Sequence, residues 1–387
     1  MSQGCSARCL VVAGSPYLAY NASLCLWLAG YVVHVLGTWR WSVYRLSRSV
    51  RRYERVPAAL FEEANAPALV ARIDAYCERH AIDVVLPGDV TANLALLSHR
   101  DRLRSARLFP APSIEGFLDL HDKWAFSCVV AASGVAQPET RLLACPEDAK
   151  DFGLRFPVLV KPLRRTFGEG ILPAASEEEL VRHVRRCQDH GELPVLAQEY
   201  APGDDFGLAL LADHGEVTAW TVQRRSPDRG AEYFLHDEAI LDAGRRLVSH
   251  MKYHGVLDLD FRRNGNGPPL AIDANPRFPG TMLYKLWAGV NLPALGVALA
   301  FGEAPQPRFA PPEGPCVNYQ VSPKRLVLSL LCGRFVPIEC TGYSEVAWRT
   351  HYRDPVPHYL NWLASLAQRA GRNAAPQVGD AAHGSLS

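Results

Sequence analysis

Residues 255–280 read GVLDLDFRRNGNGPPLAIDANPRFPG, with two strand-like segments on either side of a turn. Side chains alternate between the two faces of a strand, so the apolar residues of the first segment share one face and Asp258 and Asp260 share the other. The NGNG sequence between the segments is typical of a turn. The stretch therefore predicts a β-hairpin with one apolar face and one acidic face.

The second segment of this hairpin brings further oxygen atoms to the acidic face. Leu270 and Ile272 are expected on the apolar face, and Asp273 and Asn275 on the other. Pairing across the turn can gather Asp260, Asp273 and Asn275 on one surface. Carboxylates this close repel each other and need a cation, and hard oxygen ligands suit Mg²⁺, with Mn²⁺ as an alternative. From the hairpin alone, a solvated strand face followed by an ordinary turn is an equal alternative, although Asp is disfavoured within strands.

The end of the hairpin, DANPRFPG at residues 273–280, resembles the metal-binding element of the ATP-grasp superfamily. The usual pattern there is Glu-x-Asn-Pro-Arg, and Asp273 replaces the Glu, which keeps the charge on a shorter side chain. The resemblance implies that Asp260, Asp273 and Asn275 hold Mg²⁺. It also implies that Arg277 is a catalytic residue that meets the transferred phosphoryl group.

Two lysines upstream of the hairpin occur in the order that this family shows. Lys123 opens a helix-like segment that ends at Gly134, and Lys161 follows the apolar strand at residues 156–160. The resemblance implies that both contact the phosphates of ATP, and that Lys161 is also catalytic. Lysine is a suitable point charge for phosphate. Each lysine taken alone is better explained as a solvated surface charge, and only their order along the chain favours the site.

The polar loop at residues 164–171 resembles the flexible loop that covers the phosphates in this family. By this match, Arg165, Gly168 and Gly170 are expected to contact the nucleotide, because Gly allows backbone N–H groups to approach an anion closely. The loop has two glycines and two arginines, whereas many relatives have more Gly and Ser. Whether the loop contacts the phosphates mainly through backbone N–H groups or mainly through arginine side chains stays open.

The segment QEYAPGDDF at residues 198–206 resembles the part of the family that binds adenosine. The resemblance implies that the side chain of Gln198 and the backbone of Glu199, Tyr200 and Ala201 meet the adenine edge. It assigns Asp205 to the ribose hydroxyls. Gln198 stands where many relatives have Glu, and its amide can still accept a hydrogen bond from the exocyclic amine of adenine.

The first third of the chain alternates strand-like and helix-like segments. Apolar strands at residues 9–13, 31–36 and 82–86 alternate with helices at residues 18–29 and from residue 67 onward. This order predicts a parallel sheet of the α/β class. Combined with the resemblance, it predicts an N-terminal Rossmann-like parallel sheet domain followed by a two-lobed ATP-grasp domain of α+β character.

Changes in this pattern set the expected domain boundaries. We expect a Rossmann-like domain (residues 1–112), a central lobe with the glycine-bearing loop (113–194), a C-terminal lobe with the metal site (195–305), a C-terminal extension (306–370) and a tail (371–387). The tail is rich in Ala, Gly and Ser and has few apolar residues, so we expect it to be disordered.

Composition limits the function classes further. The chain has 387 residues, 48% of them hydrophobic and 21% charged, with a formal net charge of +1. Such a charge favours neither nucleic acid nor an anionic membrane as a partner. The apolar stretch at residues 24–36 is too short to span a bilayer, and no signal-peptide pattern occurs at the N-terminus. Scattered cysteines without a Cys-x-x-Cys motif are typical of reduced thiols in the cytoplasm.

Rival nucleotide motifs are missing from the sequence. There is no Gly-x-x-x-x-Gly-Lys-Ser/Thr, so a P-loop is excluded. Gly14 lacks the further glycines of the dinucleotide fingerprint, which makes an oxidoreductase a poor hypothesis.

The resemblance, closest to carbamoyl-phosphate-synthase-like carboxylate–amine ligases, implies an ADP-forming ligase that uses ATP. A small-molecule carboxylate would become an acyl phosphate and react with an amine, amino acids being candidates for both. A thiol, hydroxyl or carrier-protein acceptor and a non-catalytic nucleotide-binding regulator are the alternatives. The substrate pair and the oligomeric state stay open, with a homodimer favoured.

We expect an acceptor pocket built from the first segment of the chain, the region of Arg224 and Arg225, and the residues after Arg277, which include Phe278, Tyr284 and Trp287. Either Arg224 or Arg225 can bind a substrate carboxylate through two parallel hydrogen bonds. A surface salt bridge explains these two arginines equally well.

Overall fold

The computed structural model describes residues 6–14, 16–39, 46–150, 153–165, 168–225, 231–304, 309, 316–317, 353–354 and 356–357. The predicted disordered tail and most of the predicted C-terminal extension lie outside these residues, as do residues 166 and 167 of the phosphate-covering loop. Within these ranges, no helix combines the length and the apolar character that crossing a bilayer requires.

The N-terminal part contains a parallel sheet with helices on both faces. Its elements are β1 (Arg8–Ala13), α1 (Pro16–Leu28), β2 (Val32–Gly37), β3 (Arg52–Arg55), α2 (Ala66–His80), β4 (Val84–Pro87), α3 (Val90–Ser98) and β5 (Arg107–Leu108). The strand order is β3-β2-β1-β4-β5, and every neighbouring pair is parallel. Alternate residues of β1 enter two separate cores: Val11 packs with α1, and Leu10 packs with α2.

The central part is a four-stranded antiparallel sheet with its own small core. Its elements are α4 (Ile114–His121), α5 (Lys123–Ala132), β6 (Thr140–Leu143), β7 (Val158–Pro162), β8 (Leu172–Ala174), α6 (Glu177–Asp189) and β9 (Val195–Glu199). The strand order is β6-β9-β7-β8. The apolar side of α6, with Leu180 and Val184, covers Val158 and Val160 of β7. The sheet therefore presents its opposite face to the rest of the protein.

The third part is a six-stranded antiparallel sheet. Its elements are β10 (Asp204–Asp213), β11 (Glu216–Arg225), β12 (Ala231–Leu235), α7 (Glu238–Met251), β13 (Gly255–Arg263), β14 (Leu270–Asn275), α8 (Met282–Trp287), α9 (Leu292–Ala300) and β15 (Cys316–Val317). The strand order is β14-β13-β10-β11-β12-β15. Leu208 and Leu210 of β10 pack against α7, while Ala209 and Leu211 face the core shared with α1 and α9.

The predicted fold class is confirmed: a parallel α/β sheet precedes antiparallel sheets. The domain boundaries remain predictions. Several elements were not predicted, because short strands such as β5, β8 and β12 lack the continuous apolar run that indicated β4 and β7. Helix α3 was also missed, although Asp89 caps it by accepting a hydrogen bond from the backbone N–H of Ala92.

The hairpin of β13 and β14 forms as predicted, but its second strand contains a bulge. Asp260 pairs with Asp273, whereas the next residue, Phe261, pairs with Ala271, so Ile272 has no partner across the ladder. The extra residue changes the phase of the strand. Ala271 therefore packs into the core and Ile272 lines the cleft between the sheets, which corrects the expectation that Ile272 faces the apolar side.

Candidate functional site

A cleft of about 490 Å³ lies where the four-stranded and six-stranded sheets face each other. Most of the predicted site residues line it. They are Lys123, Lys161, Gly168, Asp205, Asp260, Asp273, Asn275 and Arg277. The remaining predicted residues lie beside the cleft or outside it.

The hairpin places its acids in direct cross-strand pairs. Asp260 of β13 lies opposite Asp273 of β14, and Asp258 lies opposite Asn275. Directly opposed residues project from the same face of a sheet, with Cβ atoms about 5 Å apart. All four side chains therefore reach the cleft from one surface, as the sequence predicted.

Burial makes the negative charge of this surface costly. Burial, together with the neighbouring Asp258 and Asp273, raises the pKa of Asp260 to about 7. The pKa of Asp258 is also raised, mainly by burial, and its Oδ1 atom accepts no hydrogen bond. Closely spaced buried carboxylates and an amide oxygen are the hard donors that Mg²⁺ prefers, so Asp260, Asp273 and Asn275 fit a divalent cation.

Arginines on either side of the acids balance part of this charge. Nη2 of Arg225 lies 2.7 Å from Oδ1 of Asp260. Nη2 of the buried Arg277 donates a 2.9 Å hydrogen bond to Oδ1 of Asn275. Arg224 belongs to the other face of β11 and forms an ion pair with Asp204. Of the two adjacent arginines, Arg225 is therefore the one that reaches the cleft.

Lys161 approaches from the facing sheet. It lies in β7, and its Nζ atom donates hydrogen bonds to Oε1 of Gln198 at 2.7 Å and to the carbonyl of Ile272 at 3.4 Å. Burial lowers the pKa of Lys161 to about 8, against the opposing effect of Asp273. The lysine thus connects the central sheet to the bulge of the acidic hairpin.

Lys123 is the first residue of α5, and Asp122 caps this helix through its side chain. Nζ of Lys123 lies 3.8 Å from Oδ1 of Asp273 and donates a 2.7 Å hydrogen bond to the carbonyl of Arg165. The sequence predicted that both lysines meet the same ligand. The structure brings them to the same cleft, close to the acid pair.

The predicted phosphate-covering loop is only partly in place around the cleft. Gly168 lines the cleft, and both Gly168 and Gly170 have positive φ angles, which glycine adopts without strain. The side chain of Arg165 instead forms ion pairs with Glu192 and Glu169. In the part of the loop that the structure describes, Arg165 is thus paired with these two glutamates and does not line the cleft.

The predicted adenosine segment lies at the edge of the cleft. Oε1 of Gln198 accepts from Lys161, and its Nε2 donates to Oγ1 of Thr140 at 3.1 Å, so protein groups engage both ends of this amide. The side chain of Glu199 pairs with Arg155 at 3.0 Å, outside the cleft. The sequence predicted adenine contacts for Gln198, and the structure adds a role in positioning Lys161.

Arg262 organises the rest of this segment and was not singled out from the sequence. Its guanidinium lies 2.8 Å from Oδ1 of Asp205 and donates to the carbonyl of Ala201 at 2.9 Å. It also donates to the hydroxyl of Tyr200 at 3.1 Å and to the carbonyl of Gly203 at 2.6 Å. The position of Arg262 at the end of β13 was the only signal available in the sequence.

Glu232, which lines the cleft, and its buried partner Lys285 were also not predicted from the sequence. Glu232 of β12 and the fully buried Lys285 of α8 form an ion pair of 3.6 Å. By contrast, Phe278, expected in the acceptor pocket, packs against Phe109 in the core with ring centroids 5.2 Å apart. The apolar loop after Arg277 thus turns inward, where the burial of Phe278 is more favourable than exposure.

Comparison with known proteins agrees with this arrangement. A family model described as "ATP-grasp in the biosynthetic pathway with Ter operon" matches residues 178–321. The D-alanine–D-alanine ligase of Halorhodospira halophila (strain DSM 244 / SL1) is 32% identical over 92 residues, which cover 24% of this chain. The matched segment spans 30% of the length of that relative.

Solved structures share the fold over most of the chain. The L-amino acid ligase of Bacillus licheniformis aligns with a TM-score of 0.60 and 16% identity, covering 80% of this chain and 78% of its own. An ADP complex of an N5-carboxyaminoimidazole ribonucleotide synthetase aligns with a TM-score of 0.67 and 12% identity, covering 86% and 87%. At such identities the likeness shows the fold alone. Together with the matches in sequence, it makes the chain similar to ATP-grasp proteins in fold and, over residues 178–321, in sequence.

Proposed function

We propose that this protein is an ATP-dependent carboxylate–amine ligase, which forms an amide or peptide bond through an acyl phosphate and releases ADP and phosphate. The observation that supports it most directly is the Asp260–Asp273 pair in one cleft with Lys123 and Lys161. Phosphoryl transfer depends on positioning and on cations around the transferred group, and this cleft has both lysines and metal-binding acids.

ATP would bind with its phosphates between the two lysines and the hairpin. Lys161 and Lys123 would contact the phosphates, with Gly168 beside them. The segment of Gln198, Tyr200 and Ala201 would border the adenine, and Asp205 the ribose. Arg262 supports this role because it holds the backbone of that segment and the carboxylate of Asp205 in one network.

Asp260, Asp273 and Asn275 would hold Mg²⁺, with Mn²⁺ as an alternative. The fit rests on the donor set, three oxygen-bearing side chains that project from one face. Bound there, the metal would neutralise negative charge on the phosphates. Arg225, 2.7 Å from Asp260, would keep that acid ionised and oriented.

In the proposed reaction, an oxygen of the substrate carboxylate attacks the γ-phosphorus, and the bond between that phosphorus and the β-bridging oxygen breaks to release ADP. Lys161 and Arg277 stabilise the charge on the transferred group. The amine nitrogen then attacks the acyl carbon, and phosphate leaves. The nitrogen of an ammonium loses two protons in forming the amide, of which one ends on phosphate and one in solvent at neutral pH.

An amine is the acceptor that the comparisons favour. Two of the similar proteins are by name ligases of amino acids. We therefore propose free amino acids as candidates for both substrates.

The buried thiols of Cys9, Cys25 and Cys77 suit a reducing cytoplasm, the location we propose. A homodimer remains our proposal for the assembly, and light scattering on purified protein tests it.

The test is a screen of carboxylic acids against amines that measures phosphate and ADP release, with mass spectrometry of the product. We expect turnover that requires both substrates and Mg²⁺. Asp273→Asn should lower the rate at least about 100-fold, the scale of one lost transition-state contact. Asp242→Asn, an exposed acid on α7, is the matched control. Full turnover by the Asp273 variant would end the proposal, and tight ATP binding without any ADP would favour a regulator.

A further inference from the structure

A second pocket lies at the amino end of the parallel sheet, apart from the cleft between the two antiparallel sheets. It has a volume of about 540 Å³ and is lined by Arg8, Val32, His34, Arg51, Arg52, Arg79 and His80. Four of these residues are arginines, and none of them is acidic. The chain as a whole has a formal net charge of +1, so this concentration of positive charge is a local feature.

The strand register directs the basic residues of the sheet to one face. His34 of β2 lies opposite Leu10 of β1 on one side and opposite Arg52 of β3 on the other. Leu10 packs against α2, so His34 and Arg52 project toward α2 as well. Arg8 is two residues before Leu10 and shares this face. The last turn of α2 supplies two more basic side chains, so the pocket forms between the starts of the strands and the end of the helix.

Three of the four arginines have no counter-ion in the part of the chain that the structure describes. The guanidinium groups of Arg51, Arg52 and Arg79 form neither an ion pair nor a hydrogen bond there, and all three residues are exposed. Glu54 lies two residues after Arg52 on β3, but it is paired with Arg72 at 2.6 Å. The positive charge of the pocket is therefore not neutralised by a neighbouring acid.

The end of α2 does not account for this charge. Cationic side chains are common at the C-terminal end of a helix, where they offset its dipole. Arg8 serves this purpose, since its Nη1 donates a 2.9 Å hydrogen bond to the carbonyl of His80, the last residue of α2. The backbone N–H of Ala81 meets two further carbonyls of the last turn. Arg51 and Arg52 belong to the sheet side of the pocket and are left without such a role.

Two histidines show how strongly the positive charge acts within the pocket. His34 is buried, and its Nδ1 lies 2.9 Å from the hydroxyl oxygen of Tyr76. Burial, together with His80 and the arginines of the pocket, lowers the pKa of His34 to about 4. Nε2 of His80 is buried and makes no hydrogen bond. Buried polar atoms without partners are rare in native proteins, and a ligand oxygen in the pocket would supply the missing partner.

The chemistry of these groups favours a phosphorylated ligand. Guanidinium groups bind phosphate through two parallel hydrogen bonds. A phosphate monoester has three acceptor oxygens and nearly two negative charges, so it matches three arginines better than a single carboxylate does. The volume is within the range of pockets that hold a small organic molecule. A large partner with a flat surface fits less well, because the pocket extends inward to the buried ring of His34.

We propose that this pocket is a second ligand site, which binds a small phosphorylated molecule through the guanidinium groups of Arg51, Arg52 and Arg79. An imidazole N–H of His80 is a further donor to the ligand. The site goes beyond the proposed ligase function and does not depend on it.

The pocket lies toward the opposite end of the parallel sheet from the reaction cleft. Arg8 begins β1, and near the other end of this strand Val12 pairs with Pro87, which lines a small cavity together with Arg277. The four residue steps from Arg8 to Val12 span roughly 13 Å. The ligand of this pocket is therefore bound without taking part in the phosphoryl transfer.

Isothermal titration calorimetry with simple sugar and polyol phosphates tests the proposal. The probes are ribose 5-phosphate, glucose 6-phosphate and glycerol 3-phosphate, each compared with the same molecule without phosphate. We expect at least one of the phosphates to bind at millimolar concentration or below, and none of the unphosphorylated molecules to bind. Inorganic phosphate and citrate, titrated in the same way, distinguish a phosphorylated ligand from a free anion and from a polycarboxylate.

Matched variants assign the binding to the pocket. Arg52→Gln and Arg79→Gln should each weaken the best phosphate about tenfold or more, on the scale of a lost charge-assisted hydrogen bond. Arg102→Gln, at an exposed arginine of the same sheet domain outside the pocket, should leave the affinity unchanged. Lys161→Met should also bind the phosphate as the unmodified protein does, because Lys161 lies in the other cleft.

A spectroscopic readout guards against an effect of the variants on folding. In protein labelled at the histidine rings, the phosphate should shift the nuclear magnetic resonance signal of His80, which is assigned by its absence in His80→Gln. The signal of the exposed His190, which follows α6, should stay in place.

Each contrary result overturns the proposed site. If none of the three phosphate esters binds, or if citrate or inorganic phosphate binds more tightly than all of them, the pocket is not a site for a phosphorylated molecule. If Arg52→Gln and Arg79→Gln bind as the unmodified protein does while Lys161→Met loses binding, the phosphate occupies the reaction cleft instead. None of these results bears on the ligase, which is tested by the release of ADP and phosphate.

Discussion

The ammonium of Lys161 donates a 2.7 Å hydrogen bond to Oε1 of Gln198, and both side chains are buried. An amide oxygen satisfies one N–H of the lysine without supplying a negative charge. Burial therefore lowers the pKa of Lys161 to about 8, although Asp273 and Asp260 act in the opposite direction. In the proposed nucleotide site, a phosphate bound to this lysine would favour its charged form, so ATP affinity should depend on pH.

The first prediction follows from this linkage. Below about pH 8 Lys161 is already protonated, and ATP affinity should vary little. Above it, binding must take up a proton, so the affinity should fall as pH rises, by up to about tenfold per pH unit. Lys161→Arg keeps its charge over this range and should flatten the profile. Nucleotide titrations from pH 7 to pH 9.5 measure it, and identical slopes for both proteins would contradict the assignment.

A second prediction concerns the proposed metal site. Asp260 has a pKa raised to about 7, and a metal binds the ionised carboxylate, so protonation competes with the metal. Mn²⁺ affinity, measured by electron paramagnetic resonance on nucleotide-free protein, should fall as pH decreases through about 7. Asp260→Asn should weaken binding and remove this pH dependence. Asp242→Asn should behave as the unmodified protein does.

A third prediction concerns Arg262, whose guanidinium contacts the Asp205 carboxylate and three groups of the neighbouring segment. Arg262→Ala would leave these acceptors unpaired and let the segment shift. We expect the KM for ATP to rise about tenfold or more, on the scale of one lost charge-assisted contact. Arg182→Ala, on the exposed side of α6, is the control. Equal KM values for the two variants would exclude Arg262 from this role.

A fourth prediction tests the close contact between β13 and the start of β10. At Gly203, φ is 107°, and an added Cβ would lie 2.1 Å from the carbonyl oxygen of Arg263. Gly203→Ala should lower the free energy of unfolding by roughly 2 kcal/mol or more. At Gly191, φ is 68° with nothing within 4 Å, so Gly191→Ala should cost only about 1 kcal/mol of strain. Denaturant unfolding of both variants separates steric clash from backbone strain.

Alternation and motif order were enough to predict the parts of the site that are local in sequence. The acids of β13 and β14 occur within one hairpin, so their pairing follows from strand geometry and a short turn. The lysines could be placed only through their order along the chain, as in the family they resemble. Distances such as the 3.8 Å between Lys123 and Asp273 depend on how two sheets meet, which no local pattern encodes.

Long-range contacts account for what was missed. Glu232 lies in a five-residue strand next to residues that the structure does not describe, and Lys285 lies in a six-residue helix. In the sequence each resembles an ordinary surface charge, because Lys and Glu are seldom fully buried. Only the packing of α8 over the sheet makes them neighbours. The bulge at Ile272 was missed for a related reason, since one extra residue leaves no compositional mark.

The bulge at Ile272 gives the hairpin a contact with Lys161 that is separate from the pairing of Asp260 with Asp273. Ile272 has no cross-strand partner, and its carbonyl is an acceptor for Lys161 at 3.4 Å. A strand without this residue would pair regularly, with Asp273 still opposite Asp260 and Ala271 still in the core. Its loss would therefore spare the proposed metal ligands and remove the carbonyl contact to Lys161, while the 3.8 Å pair of Lys123 and Asp273 would remain between the two parts. Removal of this single residue should thus weaken the contact between the two sheets while the side chains proposed to bind the cation stay in place.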